Sequence, residues 1–336
     1  MFIQGASMKQ RGFTLVEMMI ALFIGGLVLG GVMFTYISMK VTTRDTMVIG
    51  ELQETGRLAL NIMQRDIEQI GFWGTFYEDS FSKENTTTLT NPTGDCFSGL
   101  NNGSFPVNNA NSNFRSVFAL ESTGGAQLNC ITDSNDTTDI LQVKFLEGLQ
   151  IDPADTSSSN YYFIAEQERA EFRKGPIAAG TINGNATIWR YRHHVYYIDE
   201  QTYQVNGQNI NVPVLMRRRL SARKDQMITE TIMEGVENMR FLFGLDTNND
   251  GRVDAYRSVG MMTATDWENR RGILTVQVFI LVRSLQEYAD LNQLNQTYTL
   301  GEDAGQRVLR FNDRFRRALF TTTIRLNNVG ANLWRI

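Results

Sequence analysis

From Met18 to Met39 the chain runs for 22 residues without a charged side chain, and this stretch constrains everything else the polypeptide can do. At about 1.5 Å per residue, a helix of that length spans roughly 33 Å, close to the roughly 30 Å hydrocarbon core of a bilayer. The basic residues ahead of it, Lys9 and Arg11, fit a cytoplasmic flank. A cleaved secretory signal would have a shorter apolar region ending at a small-residue site. Here the run continues into Tyr36, Ile37 and Met39 with no such break, so cleavage on the far side is not expected. The remainder reads as an ordinary globular chain. Its 336 residues suffice for one large core or two ordinary ones. With 10% aromatic residues it is not a disordered chain, and a net charge of −4 argues against a dedicated nucleic-acid binder.

Glu17 spoils a simple anchor reading, because it sits at the entrance of the apolar helix, five residues after Gly12. An ionisable group there either snorkels to the headgroups or has a partner. The contiguous run Lys9-Gln10-Arg11-Gly12-Phe13-Thr14-Leu15-Val16-Glu17 resembles the class III signal of type IV prepilins and type II secretion pseudopilins. The resemblance implies cleavage between Gly12 and Phe13 by prepilin peptidase on the cytoplasmic side, followed by methylation of the new Phe13 amine. It also implies that Glu17 sets subunit register by pairing with the Phe13 amine of a neighbour in a fibre. Counted from Met1 the leader is long; a start at Met8 gives a more typical one. Removing residues 1–12 takes away Lys9 and Arg11, which shifts the side-chain charge from −4 to −6.

Gly26 and Gly30 form a G-x-x-x-G pair, read either as a helix-contact site or as glycine tolerated in a membrane helix. Major pilins commonly have a kinking proline where this chain has Phe34, which favours a minor component. Beyond the membrane segment, Ile49, Leu52, Gly56, Leu60, Met63, Ile67 and Ile70 recur at three- and four-residue steps, an apolar stripe that should pack on a head domain. The expected organisation is a leader over 1–12, a membrane half of one helix over 13–39, an amphipathic half over 40–71, and a head over 72–336.

Between Asp79 and Arg115, 21 of 37 residues are Asn, Ser, Thr or Gly, a loop composition expected to be functional or poorly ordered. Cys96 lies inside this stretch and Cys130 beyond it; they are the only cysteines. In a periplasmic head the two form one disulfide, with two free thiols as the alternative. Past residue 135, short β-branched and aromatic segments predict strands at 140–146, 161–165, 188–198, 212–217, 239–245, 273–283 and 321–326; segments 228–237 and 308–315 read as helix or strand. The fold class is α+β, one amino-terminal helix laid against a mainly antiparallel sheet.

Tyr196-Tyr197-Ile198, Val212-Pro213-Val214-Leu215-Met216-Arg217-Arg218, Glu234-Gly235-Val236-Glu237-Asn238-Met239 and Phe320-Thr321-Thr322-Thr323-Ile324-Arg325-Leu326 resemble the carboxy-terminal half of PilW-family minor pilins. The resemblance implies a non-enzymatic assembly protein, similar in fold to J-type minor pseudopilins, in a tip complex that primes pilus assembly. Implied partners are other minor pilins, the major pilin, prepilin peptidase and the inner-membrane assembly machinery, with a tip adhesin among the candidates and no specific nucleic acid. The implied location is the inner membrane with a periplasmic head, then the pilus tip of a Gram-negative cell. A J-type pseudopilin of type II secretion and a membrane-anchored periplasmic adhesion or binding module are the alternatives.

Few other motifs carry chemistry. Asp246, Asn248, Asp250, Arg252 (through its backbone carbonyl) and Asp254 match the start of a calcium loop, with Gly251 at the sharp turn; Arg257 stands where the closing Glu belongs. Calcium and a plain turn between strands are both open readings, and no cofactor is required. His193 and His194 are adjacent, so on a strand they point to opposite faces and cannot share a metal. Arg217–Arg219 with Arg223 and Lys224, and Arg314 with Arg316 and Arg317, read as solvated faces or subunit contacts. No P-loop, dinucleotide fingerprint, H-E-x-x-H or G-x-S-x-G occurs, and nothing supports catalysis.

Overall fold

A computed structural model describes residues 12–205, 207–287, 294–302 and 305–329. Helix α1 (Leu15–Glu68) is continuous, and the chain divides at Glu51/Leu52 into two compact units. In the first unit the helix surface is apolar and exposed from Met18 to Met39, as at Leu22, Leu29 and Phe34. This is the one helix among the described residues long and apolar enough to cross a membrane. Burial begins at Leu52 and continues through Gly56, Ala59, Met63 and Ile67, the i, i+3, i+4 pattern of a helix with one packed face. Ile49, expected in this stripe, is exposed, and Ala59 occupies the buried row in place of the half-buried Leu60.

Within the second unit the strands run in chain order as β1 (Thr86–Thr87), β2 (Val117–Thr123), β3 (Asp136–Gln150), β4 (Tyr161–Ala165), β5 (Ala170–Lys174), β6 (Thr187–Val205), β7 (Gln208–Ser221), β8 (Gln226–Glu234), β9 (Val236–Leu245), β10 (Ala255–Ser258), β11 (Ile273–Arg283), β12 (Leu294–Leu300), β13 (Arg307–Asp313) and β14 (Arg317–Arg325). A short helix α2 (Ala264–Glu268) precedes β11. Strands β1-β5-β4-β6-β3-β2 form one sheet, with β7 and β8 continuing from the long β6; β10-β9-β11-β14 form a second, and β12-β13 a ribbon. Among the described residues, every pairing between named strands is antiparallel except β1 with β5, and one isolated parallel bridge joins Thr93 to Gln226 of β8. The seven expected strands are all strands, and both ambiguous segments resolve to strands, β8 and β13.

The first sheet is covered on both faces, which explains why β3 is buried at nine consecutive positions, Thr138–Leu146, rather than at alternate ones. His194 and Tyr196 of β6 point toward α1, while their neighbours His193 and Tyr191 point toward the Asn-rich segment. That segment is therefore neither disordered nor a free loop. Asn102, Ser104, Phe105 and Phe114 are buried, and Phe81 of the segment joins Trp73, Phe163, Phe172 and Tyr191 in an aromatic cluster beneath it. A disulfide between Cys96 and Cys130 closes it. Its Asn, Ser and Gly residues serve tight turns in a chain buried only in part, chiefly over residues 101–106, where each backbone group needs a partner. Asn101 shows the pattern: its side chain accepts from the Val107 amide at 2.9 Å and donates to the Ser112 carbonyl at 2.8 Å.

Asp139 of β3 joins the two sheets. It accepts from the Phe241 amide of β9 at 2.8 Å and from Arg307 of β13 at 2.6 Å. The second sheet meets the ribbon through Leu242, Phe279, Leu281 and Leu300. On its other side Phe320 of β14 meets α1 at Gly56, where an added Cβ would lie 2.3 Å from the Phe320 ring. Gly56→Ala should therefore cost about 1–3 kcal/mol through overpacking, despite the better helix propensity of alanine. Urea denaturation checks this, with partial recovery expected when Phe320→Leu is added; an unchanged or higher stability of Gly56→Ala would contradict the close approach.

Candidate functional site

The residues of the amino-terminal motif lie at the start of α1. Gly12 and Phe13 precede the helix, and Phe13 is 80% exposed. Lys9, Arg11 and Met8 lie outside the described residues. Thr14 is the N-cap: its hydroxyl accepts from the Glu17 amide at 3.2 Å, and the Glu17 carboxylate accepts from the Thr14 amide at 3.1 Å. This reciprocal capping box satisfies amides that the first helical turn would otherwise leave unpaired. The same carboxylate is thus held at the mouth of an apolar helix. At Gly25, Gly26, Gly30 and Gly31 an added Cβ would meet nothing within 4 Å, so none of these positions is filled by the chain's own described residues.

A second group of polar residues clasps α1 to the first sheet. The Asp66 carboxylate accepts from the Tyr196 hydroxyl at 2.6 Å and lies 2.5 Å from His194 Nδ1. Burial outweighs the attraction of Asp66 and holds the His194 imidazole below its ordinary value. The neutral ring therefore donates its Nδ1 proton to the carboxylate. Behind it Arg217 pairs with Glu230 at 2.8 Å, and Arg219 pairs with the same carboxylate.

His193, on the opposite face, anchors the Asn-rich segment through a chain of hydrogen bonds whose direction is internally fixed. Ser104 has one hydroxyl proton and gives it to Asp95, 2.6 Å away, so His193 Nδ1 must donate to Ser104 Oγ at 2.8 Å. Nε2 then accepts from Gln142, whose amide also donates to the Cys96 carbonyl at 2.8 Å. Burial holds the His193 imidazole well below its ordinary value, helped by the nearby Lys144 cation. Lys144 itself is buried and pushed down to about 7, with its Nζ donating to the Arg115 carbonyl at 2.7 Å and lying over the Phe114 ring. The expectation that the two histidines cannot share a metal agrees with these separate partners.

The arginine clusters divide: Arg223, Lys224 and Arg314 are exposed, as on a solvated face, Arg217–Arg219 are half-buried, and Arg317 alone departs from the reading as a solvated face or subunit contact. Arg317 is buried and forked between Glu237 and Asp313, with its guanidinium 3.7 Å from the Phe311 ring centroid. In the Asp246 loop, the Asp246 carboxylate accepts from the amides of Asn248, Asp250 and Gly251, while Asp254 accepts from Thr247. Positive φ at Asn249 and Gly251 completes the turn. Among the described residues, no group of three His, Cys, Asp or Glu side chains is placed to hold a metal ion.

Two family models match the chain. Residues 7–33 match the prokaryotic N-terminal methylation motif, and residues 195–328 match Type IV Pilus-assembly protein W. No curated protein and no solved structure matches. The resemblance to PilW read from the sequence is shown over these residues, and together the matches support a type IV pilus-related minor pilin. They point to a structural pilin rather than an enzyme. The PilW match begins at Val195, inside the strand that bears the clasp, and includes Tyr196, Arg217, Glu230, Asp139's partner Arg307 and Phe320. No local spacing in the sequence marks Asp66, Lys144 or the Asp95–Ser104 pair: Asp66 meets His194 and Tyr196, and Ser104 meets His193, far along the chain.

The two buried histidines make stability depend on pH. An imidazole held low in the fold is neutral there, while the unfolded chain takes up protons as pH falls through about 6.5. The contribution of His193 and His194 is thus complete above pH 6.5 and lost below it, by about 1.4 kcal/mol for each unit of depression. The thermal midpoint of a fragment beginning at Leu52 should fall between pH 7.5 and 5.5. His193→Gln should be less stable throughout but flatter across that window; parallel curves would contradict the assignment.

Proposed function

We propose that the chain is a minor pilin, cleaved between Gly12 and Phe13 by prepilin peptidase and held in the inner membrane with residues 52–336 in the periplasm. From there it would join other minor pilins in a tip complex that starts type IV pilus assembly. The observation that carries this reading is the conjunction of the methylation motif with Glu17 at the mouth of an exposed apolar helix. Cleavage would create a positive amine at Phe13, four residues from the carboxylate. In a bundle of such helices, Glu17 of one subunit would pair with the Phe13 amine of the next. Two charges brought into an apolar interior are tolerated only when paired, so a subunit out of register is penalised. The PilW match supports a place in pilus assembly rather than type II secretion.

The division of α1 supports the same reading. Its membrane half offers apolar side chains and small residues to other helices, while its second half is committed to the head. Glu17→Ala should be processed as efficiently as the parent chain but recovered in sheared filaments at a tenth or less of its level. Immunoblots of membrane and sheared fractions distinguish the outcomes. Full incorporation of Glu17→Ala would remove the register role.

A further inference from the structure

A polar cleft of about 540 Å³ opens where the chain leaves α1, between residues 75–77, the β4–β5 turn and the loop before β6. Its walls are Thr75, Tyr77, Glu166, Gln167, Glu168, Arg169 and Asn185. The volume falls within the roughly 300–1,000 Å³ of small-molecule sites. Three of its features belong together. Tyr77 is 51% exposed, a large aromatic ring presented to solvent in a concavity rather than buried with its neighbours Trp73 and Phe76. The backbone around it is rigid: the Tyr77 amide donates to the Gln167 carbonyl at 3.1 Å, and the Glu166 amide to the Arg169 carbonyl at 2.8 Å. Around the ring stand an amide from Gln167, a second from Asn185, the Glu168 carboxylate and the Arg169 guanidinium, all on exposed residues.

We infer that this cleft binds an uncharged carbohydrate chain. A sugar ring has one apolar C–H face and a rim of hydroxyls that both donate and accept. An exposed tyrosine supplies a rigid surface for the first, and the mixture of amides, carboxylate and guanidinium supplies partners for the second. A purely apolar ligand would leave these polar groups desolvated and unpaired. Two carboxylates against one guanidinium leave the cleft one negative charge in excess, which disfavours sialylated or phosphorylated glycans. The inference does not rest on the pilin reading, since it concerns binding by the isolated chain.

The test is saturation-transfer NMR on the full chain in a sugar-free detergent, with maltotriose, triacetylchitotriose, sialyllactose and penta-lysine as separate probes. Transfer to the ring C–H protons of one or both neutral trisaccharides is expected, and which of the two responds separates a hexose polymer from an N-acetylated one. Tyr77→Ala should reduce the transfer at least fivefold and Tyr77→Phe should retain it. Asn185→Ala, at an exposed position, gives an independent reduction of at least twofold without touching the ring. No transfer to either neutral probe, transfer unchanged in Tyr77→Ala, equal transfer to sialyllactose, or binding of penta-lysine alone would overturn the inference.

Discussion

One carboxylate on α1 ties the helix to the sheet on which the head is built. Asp66 takes hydrogen bonds from two residues of the same strand, His194 and Tyr196, two positions apart and therefore on one face. Fixing that face toward the helix sends His193 and Tyr191 to the other. There they organise Ser104, Asp95 and the disulfide-closed segment. The alternation of a single strand thus assigns a cover to each side of the first sheet. Breaking the clasp at Asp66 would leave two buried donors without an acceptor, a larger penalty than the bond itself contributes.

The helix divides its work by sequence position. Up to Glu51 its apolar side chains are largely exposed; from Leu52 one face, Leu52, Gly56, Ala59, Met63 and Ile67, is packed, while Leu58 on another face stays exposed. At Gly56, on the packed half, the Phe320 ring comes so near that an added Cβ would lie 2.3 Å from it. An exposed apolar surface of this extent is not stable in water, so the first half requires a membrane or other helices. The capping box of Thr14 and Glu17 closes the amino end of the helix where a charge would otherwise be costly.

Much of this was legible in the sequence because it depends on period and composition. Segment 273–283 alternates little yet is rich in β-branched residues, and β11 has those bounds. The stripe from Leu52 to Ile67 follows from helical period. What was not legible depends on long-range pairing. Strands β5 and β12 are polar, reading AEFRK and LNQTYTL, and become strands through their partners. Arg317 sits in a basic cluster by sequence, but Glu237, eighty residues away, makes it a core residue. The Asn-rich segment reads as loop by composition, which it largely is; only the sheet face it covers explains why residues 101–106 are buried. The Asp246 motif has the spacing of a calcium loop, and its carboxylate in this fold accepts the loop's own amides.

In the proposed function the helix leaves a membrane for a filament, and the amino-terminal residue of the mature protein records the processing that prepares it. Mass spectrometry of the amino-terminal peptide from the protein recovered from cells reads it directly. The account predicts a peptide beginning at Phe13 and carrying one methyl group on its amine. An intact amino terminus at Met1 or Met8 would contradict it.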